Sequence, residues 1–205
     1  GKRRIRNLLF HGVMRKNIFG FDIRKDRNLE AEEKYGIKTF STFKQALDKI
    51  DPQVYIVSTP ADVHYRYFSD ALKRGKHFFV EHPITDKGYK EILNAKNKKI
   101  VAVPSCTLRF HPGVKLIKKI LSQKRVGKIL AFQYYLGQYL PDWHPWEDYQ
   151  SVYFSKKFTG ACREMFGFEL VWLTYALKLG EVTKIVGMTE KLSDLDMTAD
   201  DRYSA

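Results

Sequence analysis

Ser58, Thr59, Pro60, His64, Glu81 and His82 are the residues of this chain whose types and spacing most clearly point to chemistry. An imidazole can give or take a proton near neutral pH. Hydroxyls, a carboxylate and a turn proline can fix the orientation of a bound molecule. The six are delivered by two apolar runs, Val54-Tyr-Ile-Val-Ser-Thr-Pro60 and His77-Phe-Phe-Val-Glu-His-Pro83. Each run reads as a β-strand that ends in a polar, turn-forming cluster. An amphipathic helix of about a dozen residues separates them, so the pair forms a βαβ unit. Ligands bind outside the carboxyl ends of the strands in open α/β sheets, and these clusters therefore mark a ligand site.

The flanking sequence predicts how that unit is embedded. A helix is expected over residues 2–11, with Ile5, Leu8 and Leu9 on one face and Gly12 ending it. A short strand follows over 17–21, then a helix capped by Asp26 and closed by Gly36, a short strand at Thr39-Phe40, and a helix capped by Ser41. After the βαβ unit come a helix over 87–97 and a strand over 100–103. Alternating strands and helices indicate a doubly wound, Rossmann-type parallel sheet. Beyond about residue 125 the pattern changes. Long strands are expected over 128–135 and 182–189, with an aromatic, proline-containing loop over 139–149 and a helix over 168–179 between them. This predicts an α+β part with an open, mostly antiparallel sheet. The expected division is a dinucleotide-binding domain over 1–110 and a second domain over 111–205.

Composition narrows the class. The 205 residues are 44% hydrophobic, enough for a globular core. Cys106 and Cys162 show no metal-ligand spacing, so no metal site is expected and a reducing, cytoplasmic setting is the simplest reading. No apolar run approaches the ~20 residues of a membrane span, and no signal peptide is visible. The net charge of +13 is spread along the chain without a nucleic-acid-binding signature. It suits anionic small molecules such as dinucleotides, and no nucleic-acid partner is expected.

A Rossmann sheet reads its cofactor with a glycine turn and a carboxylate about 20 residues further on. Asp22 ends a strand candidate, and counting back 21 residues lands on Gly1, directly before a helix. Gly1 is thus placed as the last glycine of the turn, and the first, central strand would lie upstream. Alternatively, Asp22 is only a turn residue. An aspartate favours NAD, since a carboxylate repels a 2′-phosphate. Arg24 and Arg27 stand nearby and would suit NADP instead.

On these residues the chain closely resembles the Gfo/Idh/MocA family (glucose–fructose oxidoreductase/inositol dehydrogenase). The resemblance runs through Phe19-Gly-Phe-Asp22, Ser58-Thr-Pro60 with His64, Leu108-Arg-Phe-His-Pro112, and Gly160 with the helix after it. Its most specific part is Gly75-Lys-His-Phe-Phe-Val-Glu-His-Pro83, similar to the family's Gly-Lys-His-Val-x-x-Glu-Lys-Pro signature. It implies hydride transfer between a nicotinamide cofactor and a carbon of a sugar, cyclitol or related polyol. It implies an N-terminal Rossmann domain, a C-terminal domain on an open sheet, and a homo-oligomer when full length. It also implies a chain truncated at both ends, lacking the first strand. The cofactor edge would be Gly1, Asp22, Ile23, Arg24, Ser58, Thr59, Pro60, His64, Glu81, His82 and Arg109.

The chemistry departs from that pattern at two places. The family's lysine falls on His82, a shorter group that either transfers a proton or only orients its loop. The family's histidine and aspartate, three residues apart on a helix, fall on Phe168 and Val171, neither of which transfers protons. Glu164 and Glu169 are nearby substitutes for the base. In the aromatic loop, Trp143 and Trp146 can stack on a sugar, and His144 or Tyr149 can carry a proton. The catalytic candidates are therefore His82, His144 and Glu164. The rival reading is a catalytically impaired relative that binds dinucleotide or sugar as a sensor or scaffold.

Overall fold

Valine, tyrosine and isoleucine in succession favour a pleated strand, and Val54–Val57 forms one, β3. It pairs in parallel with β4 (His77–Val80), Val54 opposite His77 and Val57 opposite Val80. A computed structural model describes residues 1–82, 85–95, 99–143, 145–178 and 180–205. These divide into two compact units, one comprising Gly1–Thr59, Tyr65–Val80 and Gly88–Val103, the other Pro60–His64, Glu81–Lys87 and Pro104–Ala205.

The first unit begins with helix α1 (Lys2–Phe10) and continues through β1 (Phe19–Phe21), α2 (Lys25–Tyr35), β2 (Lys38–Phe40) and α3 (Phe43–Lys49). Then follow β3, α4 (His64–Lys73, whose first residue belongs to the second unit), β4, α5 (Tyr89–Asn94) and β5 (Ala102–Pro104). β1 pairs in parallel with β2, and β4 lies between β3 and β5. Parallel strands joined through helices are the connection from which doubly wound folds are built. Aromatic packing joins the two sheets: Phe21 lies 5.9 Å from Phe43 and 6.0 Å from Tyr67, ring centre to ring centre. Alternate residues of the sheet point into the core, where Tyr55, Val57, Phe78 and Val80 pack on Phe68, Ala71 and Leu72 of α4. Phe68 stacks on Phe78 at 5.6 Å.

Local signals set most helix ends. Gly36 closes α2 in the left-handed region at φ 62°, which glycine adopts without a Cβ clash. The cap of α3 is not Ser41 but Thr42, whose hydroxyl accepts the Gln45 N–H at 3.1 Å. Ser41 instead donates to Gln45 Oε1. Asp26 lies in the first turn of α2 rather than at its cap and pairs with Arg24 at 2.5 Å.

The second unit is built on α6 (Pro112–Ser122) and α8 (Ala161–Leu177), which bury Val114, Trp172 and Ala176 against each other. The short α7 (Leu140–Trp143) and a 3₁₀ turn, Tyr153–Ser155, lie between them in the chain. An antiparallel pair, β6 (Met188–Glu190) with β7 (Arg202–Ser204), completes the unit. The long strands expected over 128–135 and 182–189 are not formed. Residues 128–135 have no ladder among the described residues, and 182–189 contribute only the start of β6. Their apolar side chains stay exposed, Leu130 at 88% and Ile185 at 72%. An alternating pattern needs a pairing strand before it becomes a sheet. No helix among the described residues is long and apolar enough to cross a membrane.

Candidate functional site

The paired residues Val57 and Val80 are the last of β3 and β4, and the polar clusters leave the sheet directly after them. Glu81 and His82 belong to the second unit, together with Pro60, His64, the 3₁₀ turn at Tyr153 and helix α8. There they form one cluster. His64 is 3% exposed at the start of α4. The His82 ring packs edge-on against Phe168, with ring centres 5.9 Å apart. Its Nε2 approaches α8 so closely that a Cβ on Gly167 would lie 2.6 Å away. Both His82 ring nitrogens are shielded from solvent and have no hydrogen-bond partner among the described residues. Burial, and then the proximity of His64, hold its pKa below the ordinary imidazole value.

Glu164 stands on the same helix, three residues before Gly167. Its Oε1 accepts the Tyr153 phenol O–H at 3.0 Å. Its Oε2 is shielded and has no hydrogen-bond partner among the described residues. Burial raises the Glu164 pKa to about 7, the Tyr153 hydrogen bond opposes that rise, and the Glu81 charge adds to it. Tyr153 is itself pushed far up, by burial and by the same two carboxylates. Glu169, the other substitute base, is engaged elsewhere. It is 4% exposed, accepts the Trp172 indole N–H and is hydrogen-bonded by Tyr134. Of the two glutamates, Glu164 is the one left with an unsatisfied atom.

At the end of β1, Asp22 is half-buried and its carboxylate accepts the Arg24 N–H at 2.9 Å. Buried Asn28 donates to the Asp22 carbonyl at 2.9 Å and the Phe40 carbonyl at 3.2 Å, tying the ends of β1 and β2 together. Ile23 is 84% exposed. The Gly1 carbonyl accepts from Arg4 and Ile5 to start α1, and a Cβ on Gly1 would meet nothing within 4 Å.

Arg109 lies in the 3₁₀ turn Thr107–Phe110 with its guanidinium 4.2 Å from the Tyr175 ring centre. Trp143 packs on Phe154 at 4.2 Å, and Phe154 on Tyr153 at 4.0 Å. Trp146 is 73% exposed. The Tyr149 hydroxyl accepts the Asp196 N–H at 3.2 Å. His144 lies outside the described residues. Ser58 and Thr59 directly follow β3. Among the described residues no three metal-ligating side chains gather. Sequence reasoning missed Asn28, Tyr153 and Gly167. A lone asparagine in a helical pattern, a tyrosine in an irregular loop and a helical glycine carry no periodic signal.

A carboxylate at the end of β1, in a parallel βαβ arrangement, is the position from which dinucleotide-binding folds hold a ribose. Residues 16–105 match the family described as the oxidoreductase family with NAD-binding Rossmann fold, GFO_IDH_MocA. Over that segment the chain is similar to the Gfo/Idh/MocA oxidoreductases. A levoglucosan dehydrogenase of Pseudarthrobacter phenanthrenivorans is 32% identical over 118 residues, 56% of this chain and 30% of that protein. An uncharacterized oxidoreductase of Escherichia coli, YhhX, is 31% identical over 122 residues, 56% of this chain and 35% of that protein. The matched segments thus span about a third of these relatives' lengths. The WlbA dehydrogenase of Bordetella pertussis, solved with NADH and UDP-GlcNAcA, superposes with a TM-score of 0.78 at 17% identity. That match covers 98% of this chain and 62% of the other, and it extends the fold assignment to both units.

Proposed function

We propose that this chain carries the cofactor- and substrate-binding parts of an NAD-dependent oxidoreductase that moves a hydride to or from a carbon of a sugar, cyclitol or sugar derivative. The observation that carries the reading is the cluster after β4, where His82 and Glu164 keep three buried polar atoms without partners. Each such atom costs about 1–3 kcal/mol. A ligand hydroxyl is the natural partner for each.

The residues present fit a nicotinamide dinucleotide. Asp22, fixed by Asn28 at the end of β1, would hold the adenine ribose hydroxyls, beside exposed Ile23. Its carboxylate opposes a 2′-phosphate, and Arg24 is engaged by Asp26, so NAD is preferred over NADP. The start of α1 at Gly1 offers helix N–H groups to a pyrophosphate. Ser58, Thr59, Pro60, His64 and Glu81 would line the nicotinamide edge, with Arg109 a further contact. When bound, the nicotinamide supplies or removes the hydride. The chain's own part is to exclude water, orient the reacting hydroxyl through His82, and hold a proton at Glu164. His144, Trp143, Trp146 and Tyr149 are proposed substrate contacts from the loop over 139–149. The name of the levoglucosan dehydrogenase supports a sugar over other alcohols. The free thiols Cys106 and Cys162 fit a cytoplasmic setting, and we take the full-length protein to be a homo-oligomer.

Incubation with NAD and a panel of sugars, anhydrosugars, cyclitols and sugar nucleotides should produce reduced nicotinamide with at least one compound, read by its absorbance band. A protein that binds NADH but reduces NAD with none of them supports the sensor or scaffold reading instead. Phe168 against His82, at the position where the family resemblance implies a histidine, is the observation that favours that second reading.

A further inference from the structure

We infer that Glu164 Oε2 is the atom that exchanges a proton with the reacting hydroxyl, and that Tyr153 is its positioning residue, holding Oε1 through the phenol O–H. The inference rests on the oxidoreductase reading and assigns the proton step within it.

Besides His64, which is 3% exposed at the start of α4 and acts on His82, three groups in the cluster could take a proton. His82 is constrained: its Nε2 is pressed toward the α8 backbone at Gly167, and Phe168 covers the ring edge-on. Glu81 carries a charge that reaches both Glu164 and Tyr153, which makes it an electrostatic neighbour of the pair. Glu164 differs from both. One oxygen is fixed by a 3.0 Å hydrogen bond, and the other is buried and unpaired. A carboxylate fixed at one oxygen presents the second in a set direction, the arrangement a general base requires. The Trp143–Phe154–Tyr153 ring series packs the phenol from the other side.

Oxidation of a carbinol to a carbonyl removes a hydride and a proton. The hydride leaves the carbon for the nicotinamide. The hydroxyl O–H bond breaks, its electron pair completes the carbonyl, and the proton bonds to Glu164 Oε2. The carboxylate becomes a neutral carboxylic acid and later returns its proton to water. The groups acting on Glu164 are Tyr153 from the 3₁₀ turn and Glu81 from the segment after β4, so its affinity for a proton depends on both. With burial, they place its pKa at about 7, where it serves in either direction at neutral pH.

The test uses two variants, with NADH binding by fluorescence as a readout independent of turnover. Glu164→Gln should bind NADH like the parent and lose about 10²–10⁴-fold in sugar oxidation. Tyr153→Phe should lose less and should move the acidic limb of its pH–rate profile to higher pH, because the lost hydrogen bond favours the carboxylate. An infrared titration of the Glu164 carboxyl should move the same way, without turnover. A Glu164→Gln variant that oxidises sugar within about twofold of the parent while binding NADH overturns the inference and leaves the oxidoreductase reading standing. So does a Tyr153→Phe limb and infrared titration that stay in place. A parent protein that binds no NADH, or oxidises no sugar of the panel, removes the oxidoreductase reading and the inference with it.

Discussion

Glu164 and Glu169 are five residues apart on one helix, yet their surroundings give them opposite characters. Glu169 is a satisfied anchor that joins Trp172 to Tyr134. Glu164 keeps one oxygen unpaired, and burial lifts its pKa from the ordinary 4.5 to about 7. Between those two values the folded protein holds a proton that the unfolded chain has lost. The stability contributed by that proton is present below 4.5 and is lost as pH rises through about 7. Denaturant unfolding from acid to neutral pH should therefore show a fall in stability of about 1–3 kcal/mol that Glu164→Gln abolishes. An unchanged slope in the variant would place the titrating group elsewhere. The sequence offered both glutamates as substitute bases and put Glu164 forward, with no spacing rule to tell their surroundings apart. What separates them is the phenol of Tyr153 on one side and the indole of Trp172 on the other, and both are tertiary contacts that no spacing rule reports.

At the scale of elements, strands β3 and β4 were legible because each is an apolar run of β-formers bounded by turn residues, and their register follows from the parallel βαβ unit. The helices were legible from periodicity and from glycine stops at Gly12, Gly36 and Gly75. Helix α8 began seven residues earlier than the pattern suggested, at Ala161 rather than Phe168. The reason is the contact that precedes it: a Cβ on Gly160 would sit 1.8 Å from the Phe154 carbonyl oxygen. Only glycine lets the 3₁₀ turn lie against the helix start, and that approach holds Tyr153 beside Glu164. Gly160→Ala should cost about 3 kcal/mol or more, beyond ordinary overpacking because the obstacle is backbone. Chemical denaturation measures it, and a variant as stable as the parent would mean that the turn is not held this closely. The strands expected over 128–135 and 182–189 failed for the converse reason. Their alternating pattern is real, but a ladder needs a neighbour, and alternation does not supply one.

At the scale of the whole molecule, the sequence carried the Rossmann-type parallel strands and the change of architecture in the second half. The net charge of +13 did not disclose a partner, since solvated lysines and arginines spread along a chain carry no geometry. The position of Asp22 at the end of β1 was legible because a carboxylate that ends a short apolar strand is read from the strand's boundary. Arg109, which the resemblance places at the cofactor edge, has its guanidinium over the Tyr175 ring, a tertiary contact that no spacing rule reports. The central claim is that the protein binds a nicotinamide dinucleotide through Asp22 and uses it. The most direct measurement is a fluorescence titration of NADH into the protein, repeated with NADPH and with Asp22→Ala. The account predicts saturable NADH binding, competed by NAD, weaker for NADPH and at least about tenfold weaker in the variant, since a lost hydrogen bond to a charged group removes about 1.5–3 kcal/mol. No saturable binding of either nucleotide, or binding that Asp22→Ala leaves intact, would contradict it.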